Sequence, residues 1–424
     1  MHYSCICSRL IPLLAMAITM SACAQAGAPV FPGAVGFGTN TPAGSGGDVI
    51  RVTNLNADGP GSLAEAINAT GPRIIVFEVG GVIDLAKGRL RIEQPFVTVA
   101  GQTAPSPGIT IIRGGISITT HDVLLRHIRV RPGDAGGAKR SGWEPDGITT
   151  SGGEAYNIVV DHCSVTWAVD ENLSASGPRL EGPEATSHNI TFSNCIIAEG
   201  LDDSTHKKGP HSKGSLIHDC CTNIAIIGNL YAHNVQRNPY FKAHCTGVIV
   251  NNVIYNPGNA AIQVRYSNSE WRDAPMKPVN PRVSVVGNVM IHGRDTREGL
   301  ALVSSQGDVY LEDNLATDTE GKPVAQTSGD INILKQKPSW PEGLEALPSG
   351  QVIDHIVAHV GARPKDRDAI DQRILRDLPQ RTGRIIDSQD EVGGYPNPRP
   401  THRKLQIPTA DITTWLATLA RDLE

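Results

Sequence analysis

A short alternating strand recurs through the middle of the chain, and this repeat most restricts the possible folds. Two copies are Asn157–Cys163 (NIVVDHC) and Asn189–Cys195 (NITFSNC), and a third is Asn223–Asn229 (NIAIIGN). Equivalent positions fall at residues 102, 127, 163, 195, 229, 252, 288 and 314, at steps of 23 to 36 residues. Repeats of this length with no helical segment between them are typical of a solenoid. The sequence therefore predicts an all-β, single-stranded, right-handed parallel β-helix from roughly Val49 to Asn314.

The strand ends show a second regularity, because most equivalent positions hold Asn, Cys or Gln. In an inward ladder of such side chains, amides can hydrogen-bond to neighbours in the coils above and below. The variable step length predicts loops of variable size along one edge, where a binding cleft can be built. A β-sandwich is the alternative fold, but hairpin signals such as Asn-Gly are mostly absent between the repeats. With 44 Gly, 29 Pro and 4% aromatic residues, the composition also favours short strands joined by frequent turns.

The N-terminus has the pattern of an export signal. Arg9 precedes an apolar run, Leu10–Met20, that is too short to span a bilayer. Residues 1–26 are therefore predicted to be a signal peptide, with lipoprotein processing before Cys23 as the alternative. The first route gives a secreted protein, extracellular or periplasmic, and the second gives an outer-membrane lipoprotein attached through Cys23. No later apolar stretch is long enough for a transmembrane segment.

Two further regions follow the signal. Residues 27–340 are predicted to form the β-helix catalytic domain, which opens with a Gly-rich cap over Phe31–Gly61. Residues 341–424 change to helical periodicity and are predicted to form an extension that packs on the β-helix. Ser349 is the expected N-cap of its first helix, and Trp415 marks a short last helix. We expect the protein to be a monomer.

Charge and cysteine usage narrow the function classes. The net charge of −5 argues against a nucleic-acid binder, which needs a broadly positive face. An acidic substrate must then be held by a local basic patch or by bound cations. The cysteines beyond the signal are odd in number and include no C-x-x-C pair, so we expect buried thiols rather than a metal or redox site. They are Cys163, Cys195, Cys220, Cys221 and Cys245.

An acidic cluster is the first candidate site. Asp146 comes just before one predicted strand, and Asp170 and Glu171 come just after it, so one turn of the coil can bring them together. Carboxylates without soft ligands nearby suit Ca²⁺. They could equally be the acid and base of a glycoside hydrolase, or solvated turn residues. These three interpretations stay open at this point.

Two basic segments are the other candidates. His206–Gly214 (HKKGPHSKG) is either a solvated loop or an anion-binding loop, and its imidazoles lack an evident third ligand for zinc. In Arg237–Lys242 (RNPYFK), the two cations could flank one site in an exposed cleft.

Several segments together resemble the pectate lyase family, and its bacterial members in particular. The resemblance runs from about residue 31 to residue 397. The matching segments are Gly46–Val49 (GGDV), Val52–Asn56 (VTNLN), Gly59–Leu63 (GPGSL), Val99–Pro105 (VAGQTAP), Val159–Cys163 (VVDHC), His206–His211 (HKKGPH), Arg237–Pro239 (RNP), Gly383–Ser388 (GRIIDS) and Glu391–Gly394 (EVGG).

The resemblance implies a right-handed parallel β-helix that cleaves de-esterified pectin by calcium-assisted β-elimination. It implies that Asp146, Asp170 and Glu171 hold Ca²⁺. It further implies that Arg237 takes the C5 proton and that Lys208 binds a uronate carboxylate and assists catalysis. Substrate binding is assigned to Lys208, Lys213, Lys242 and His211.

Two departures from the family pattern concern the substrate. Lys242 replaces the second arginine of the motif, which keeps the charge and loses bidentate carboxylate recognition. Lys207 and Lys213 stand where uncharged residues are expected.

Alternatives remain for the catalytic base and for the function of the protein. His233 and His244 are alternative bases, because arginine is normally protonated. The alternative functions are a polygalacturonase-like hydrolase and a non-catalytic carbohydrate-binding surface protein, since fold alone cannot decide among them.

Overall fold

The computed structural model describes residues 1–2 and 28–424. Apart from its first two residues, the predicted signal peptide lies outside the described residues, and so does Cys23. Across the described part of the chain, no helix combines the length and apolarity needed to cross a bilayer.

Short strands wind through successive coils, and each pairs in parallel with its counterpart in the next coil, so that three sheets form the faces of a parallel β-helix. Sheet I contains Asp48–Val52, Arg73–Phe77, Val97–Ala100, Val123–Arg126, Tyr156–Asp161, His188–Ser193, Thr222–Ile227, Thr246–Val250, Arg282–Val286 and Val303–Glu312. Sheet II contains Val79–Asp84, Ile109–Ile112, Ile128–Arg131, Ser164–Thr166, Ile196–Ala198, Leu230–Ala232, Val253–Tyr255, Val289–Ile291 and Leu315–Thr317, with Thr401–His402 added antiparallel to its first strand. Sheet III contains Arg89–Ile92, Gly115–Ile118, Ile148–Ser151, Leu173–Ser176, Leu216–Ile217, Tyr240–Phe241, Ile262–Val264 and Thr327–Ile333. The predicted parallel β-helix is confirmed.

One long strand joins two of these sheets near the C-terminal end of the solenoid. The first part of Val303–Glu312 pairs with Ile262–Val264 of sheet III. Its last part pairs with Arg282–Val286 of sheet I, so the strand has no corner between the two sheets. Thr327–Ile333 pairs along it and forms the outermost strand.

The corner between sheets I and II explains the repeated residues at the strand ends. In six successive coils it is a two-residue turn whose first residue has a left-handed φ between 47° and 66°, as at Asn194 and Gly228. Asn and Gly tolerate this conformation best. The second residue points inward, and the Asn252 side chain accepts from the Asn229 amide at 3.0 Å and donates to Asn288 at 2.9 Å. The predicted amide ladder is confirmed.

Residue 127 was predicted in this ladder, and that prediction is wrong by one position. Pairing of Arg126 with Asp161 aligns His127 with His162, and Ile128 with Cys163. His127 therefore takes the outward, left-handed position, with φ 59°. Because neighbouring side chains on a strand face opposite sides, a one-residue error exchanges the solenoid interior and its outer face.

The solenoid interior is a continuous stack of aliphatic side chains, with Cys163, Cys195, Cys221 and Cys245 among them. These cysteines and Cys220 are free and buried, as predicted.

Helices lie at the first coils of the solenoid and along sheets I and II. Leu63–Asn68 lies near its first strands, and the Ser62 hydroxyl accepts from the Glu65 amide at its N-terminus. Ser349–His359 and Ala369–Gln380 pack against sheet II, and Ile412–Leu423 packs beside the first strands of sheet I. Short 3₁₀ turns occur at Gly101–Thr103, Arg179–Glu181, Pro183–Ala185, Asn268–Trp271 and Gln389–Val392.

The expected N-cap at Ser349 is off by one, because Pro348 is the cap and Ser349 is the first helical residue. The Ser349 hydroxyl instead donates to Asp313 at 2.8 Å.

Buried ion pairs also attach the helices to sheet II. The fully buried Arg131 guanidinium donates to Asp371 at 2.8 Å and to Asp368 at 2.5 Å.

Candidate active site

The candidate residues share one position in the coil. Each of them lies in a turn that leads from a sheet II strand to a sheet III strand. They are Asp146, Asp170, Glu171, the loop carrying Lys208, and Arg237. Since parallel strands stack in register, turns from four successive coils converge beside sheet III. They border a groove with a volume of about 540 Å³.

The three predicted calcium ligands come together. One carboxylate oxygen from each of Asp146, Asp170 and Glu171 lies within 4.8 Å of the others. The structure therefore brings together side chains that are 24 and 25 positions apart in sequence. The Arg89 guanidinium approaches Asp146 at 4.0 Å and belongs to the same electrostatic environment.

The carboxylates in this cluster do not titrate alike. Burial, followed by the charge of Asp170, raises the pKa of Asp146 to about 7. Burial would also raise the pKa of Asp170, but the hydrogen bond from His211 and nearby positive charges outweigh it and hold that pKa below its usual value. A divalent cation would relieve the repulsion among these carboxylates, so the donor set fits Ca²⁺.

Arg237 lies against this cluster. Its guanidinium forms an ion pair with Glu171, and the side chain is 20% exposed. The backbone has φ 64°, an unfavourable value for arginine, and the Arg237 amide donates to the Gln263 side chain at 2.9 Å. Burial lowers the pKa of Arg237, while Asp170 and other anions oppose the shift.

Lys208 and His211 also border the groove. Lys208 is exposed, and the His211 imidazole is bonded to Asp170 at 2.9 Å and stacks on His206 with ring centroids 3.8 Å apart. Asp170 is thus the third potential metal ligand beside His206 and His211, and the loop sequence did not reveal it. It lies on the preceding coil, where spacing within the loop could not indicate it.

The remaining two lysines are buried. Lys213 is 4% exposed, pairs through its backbone with Glu171, and does not border the groove. Burial lowers the pKa of Lys213 to about 8. Lys242 borders the groove, yet it is 5% exposed and its ammonium contacts Asp219 at 3.0 Å and Glu270 at 2.6 Å. The expectation that Lys242 lies exposed in a cleft is wrong, because two carboxylates enclose its charge.

The alternative bases lie elsewhere. His233 is fully buried and bonded to Asn256, and His244 is bonded to the Lys277 carbonyl. Neither borders the groove.

Further groove residues were missed from the sequence. They are Arg179, His218, Tyr240, Arg265 and Glu270. Arg265 and His218 directly follow the sheet III strands Ile262–Val264 and Leu216–Ile217, which are too short to give a periodic signal. The regular spacing of the sheet I strands was the one signal that could have located them.

Comparisons with known proteins agree with this fold. A scan against protein-family models found no match. The chain is 32% identical over 379 residues to a probable pectate lyase C of Aspergillus terreus, an alignment that covers 86% of this chain and 81% of the relative. It is 33% identical to a probable pectate lyase C of Emericella nidulans, covering 86% and 79%.

Solved structures share the fold at lower sequence identity. The chain matches jun a 1, the major allergen from cedar pollen, with a TM-score of 0.53 and 16% identity, over 76% of this chain and 91% of that one. It also matches a pectate lyase bound to hexasaccharide, with a TM-score of 0.53 and 15% identity, over 77% and 96%.

Fold and groove together are those of a parallel β-helix polysaccharide lyase. The sequence relatives define the group within this class. The chain belongs to the pectate lyase family. Both sequence relatives named above are fungal, so the expected bacterial subgroup stays a prediction.

Proposed function

We propose that this chain is a calcium-dependent pectate lyase that cleaves polygalacturonate, or a related uronan, by β-elimination in the groove beside sheet III. The observation that carries the proposal is the position of Arg237. Its guanidinium lies against the Asp146–Asp170–Glu171 cluster in a groove bordered by further cations. A base, an acidic metal-ligand set and carboxylate-binding groups are what this reaction requires of a protein.

Arg237 is assigned the role of base toward the C5 proton of a uronate. Arginine is normally protonated, and two features of this chain act on that preference. Burial lowers the pKa of Arg237, whereas Asp170 and other neighbouring anions raise it. Neutralising the carboxylates removes much of this opposition, so the neutral guanidine becomes more accessible when a cation occupies the cluster.

Asp146, Asp170 and Glu171 would hold the calcium ion. When bound, Ca²⁺ supplies a Lewis acid that polarises the uronate carboxylate and acidifies the adjacent C5 proton. The His211 imidazole holds the Asp170 carboxylate through their 2.9 Å contact. His211 therefore orients a ligand, in addition to its predicted contact with substrate.

Lys208 is assigned to the substrate carboxylate and to the negative charge that develops on it. Its exposed ammonium borders the groove, where a preorganised cation stabilises such charge better than bulk water does. Lys242 is assigned an indirect role, because Asp219 and Glu270 enclose its ammonium group. Lys213 is also assigned an indirect role, because it is buried outside the groove.

The proposal includes an exported monomer. Export through residues 1–26 would bring the β-helix, residues 27–340, and its extension, residues 341–424, to a polymer that cannot enter a cell.

The deciding experiment is incubation of the purified protein with polygalacturonate in the presence and absence of Ca²⁺. β-Elimination leaves an unsaturated C4–C5 end, so ultraviolet absorbance should rise with time only when calcium is present. New reducing ends without that absorbance would indicate a hydrolase. Saturable binding without chain shortening would indicate a carbohydrate-binding protein.

A further inference from the structure

A second group of metal-binding side chains lies outside the groove, at the corner between sheets I and II. His127 and His162 occupy the outward, left-handed corner position in two successive coils. Their rings stack with centroids 5.3 Å apart and an interplanar angle of 20°. Glu424, which follows the helix Ile412–Leu423, reaches the same corner.

The hydrogen bonding of His127 leaves an unresolved contact. Its ring is fully buried, and Nδ1 donates to the Ala362 carbonyl at 2.8 Å. Among the described residues, its Nε2 has no hydrogen-bond partner of acceptable geometry, yet it faces Glu424 Oε1 at 3.3 Å. A neutral ring held this way directs a lone pair toward a carboxylate oxygen. That contact is repulsive unless a proton on Nε2 or a metal ion lies between the two atoms.

The surrounding charges favour such a cation. Arg126 contacts Glu424 at 2.6 Å, but it also contacts Asp161 at 2.8 Å. The two carboxylates therefore exceed the single guanidinium by one negative charge. His162 Nδ1 is bonded to Asp161 at 2.7 Å and lies 3.6 Å from Glu424, so both carboxylates face this ring.

We propose that His127, His162 and Glu424 form a second metal site, selective for Zn²⁺ or a similar imidazole-preferring divalent ion. One ring nitrogen of each histidine and one oxygen of Glu424 lie within 4.8 Å of one another. Two imidazoles and a carboxylate are a common zinc ligand set, whereas calcium prefers oxygen ligands alone. The ion ties the Glu424 end of the last helix to the corner of the solenoid, so its role is structural.

The groove also contains a histidine–carboxylate cluster, which any binding experiment must separate from this site. Asp170, His206 and His211 lie within 4.8 Å of one another, but Asp170 belongs to the proposed calcium site and is bonded to His211. The variant His211→Gln disrupts that cluster and serves as the background for measurement.

In this background, metal-stripped protein is titrated with Zn²⁺ against a chromogenic chelator, and its melting temperature is recorded with and without zinc. We expect one zinc equivalent and a rise in melting temperature. Glu424→Gln, which keeps an oxygen for Arg126, should weaken zinc binding at least tenfold and abolish the rise. The matched control Glu154→Gln changes an exposed carboxylate and should alter neither quantity.

His162→Gln provides a second test from the opposite side of the site and should have the same effect as Glu424→Gln. The proposal is overturned if the background protein binds no zinc, or if Glu424→Gln binds it with unchanged affinity. Co²⁺ substitution adds a spectroscopic readout, because four-coordinate Co²⁺ gives strong visible absorption bands, which should be weaker in Glu424→Gln at the cobalt concentration that saturates the background protein.

Discussion

The Arg237 guanidinium forms an ion pair with Glu171, so the proposed base directly contacts one of the three proposed calcium ligands. A cation at the carboxylates and a proton on Arg237 therefore compete for the same negative charge. This contact links metal occupancy to the protonation of the base.

Arg237→Ala should reduce kcat by more than about a hundredfold, roughly 2.7 kcal/mol in the barrier, while KM changes little. Arg237→Lys should fail as well, because an ammonium on a shorter side chain cannot place nitrogen at the same point. Initial rates on polygalacturonate at saturating calcium measure both effects.

Arg265→Ala is the matched control, since it removes an exposed arginine that borders the same groove. It should raise KM and preserve most of kcat. Retention of more than about a tenth of the rate by Arg237→Ala, a cost under about 1.4 kcal/mol, would exclude Arg237 as the base.

Calcium removal should abolish activity, and added Ca²⁺ rather than Zn²⁺ should restore it. Glu171→Gln should shift the restoration curve to higher calcium concentration, because it replaces an anionic ligand with a neutral one. The solenoid core does not include the carboxylate cluster, so calcium should change the melting temperature little. Full activity in calcium-free buffer would contradict the metal assignment.

Lys242 and Lys208 should differ in what they stabilise. Lys242→Met removes the ammonium partner of the fully buried Asp219, which keeps Arg179 and His218, and should lower the free energy of unfolding by about 2 kcal/mol. Lys208→Met removes an exposed charge and should change stability by less than about 0.5 kcal/mol while weakening substrate binding. Denaturant unfolding beside KM measurements separates the two, and equal stability losses would contradict the assignment.

Lys213 should make stability depend on alkaline pH. Burial lowers its folded pKa from 10.5 to about 8, so between these values the unfolded chain binds more protons and stability rises with pH. Lys213→Met removes this term and should stabilise the protein near neutral pH by up to about 3 kcal/mol. The difference between variant and wild type should shrink as pH rises from 8 toward 10.5. A constant difference across that range would show that Lys213 does not titrate there.

The fold could be predicted largely because one coil repeats. The recurring strand that ends in Asn or Cys indicated the inward ladder, as at Asn252, and the left-handed corner one residue earlier became apparent only in the structure. The error at His127 arose because histidine can occupy the corner position that Asn or Gly usually fills. The preceding strand alone did not show which side chain pointed inward.

The site was less accessible to sequence reasoning. Asp146, Asp170 and Glu171 could be grouped because one coil separates them. The burial of Lys242 could not be predicted, because Asp219 and Glu270 lie 23 and 28 positions away on either side and no local pattern connects them. Sheet III strands as short as Tyr240–Phe241 likewise leave no periodicity that would place Arg265 in the groove.

The outermost strand, Thr327–Ile333 (TSGDINI), has a consequence for the protein in concentrated solution. Among residues 28–424 no strand pairs with its outer edge, at the end of a long parallel sheet, and such an edge is a natural template for another chain. Its exposed Ser328, Gly329 and Asp330 are polar or lack a side chain, and the Gly329 backbone has φ 86°, which interrupts a regular extended edge, although Ile333 at the end of the strand is also exposed. The solenoid can thus end in an open edge while discouraging end-to-end fibre growth.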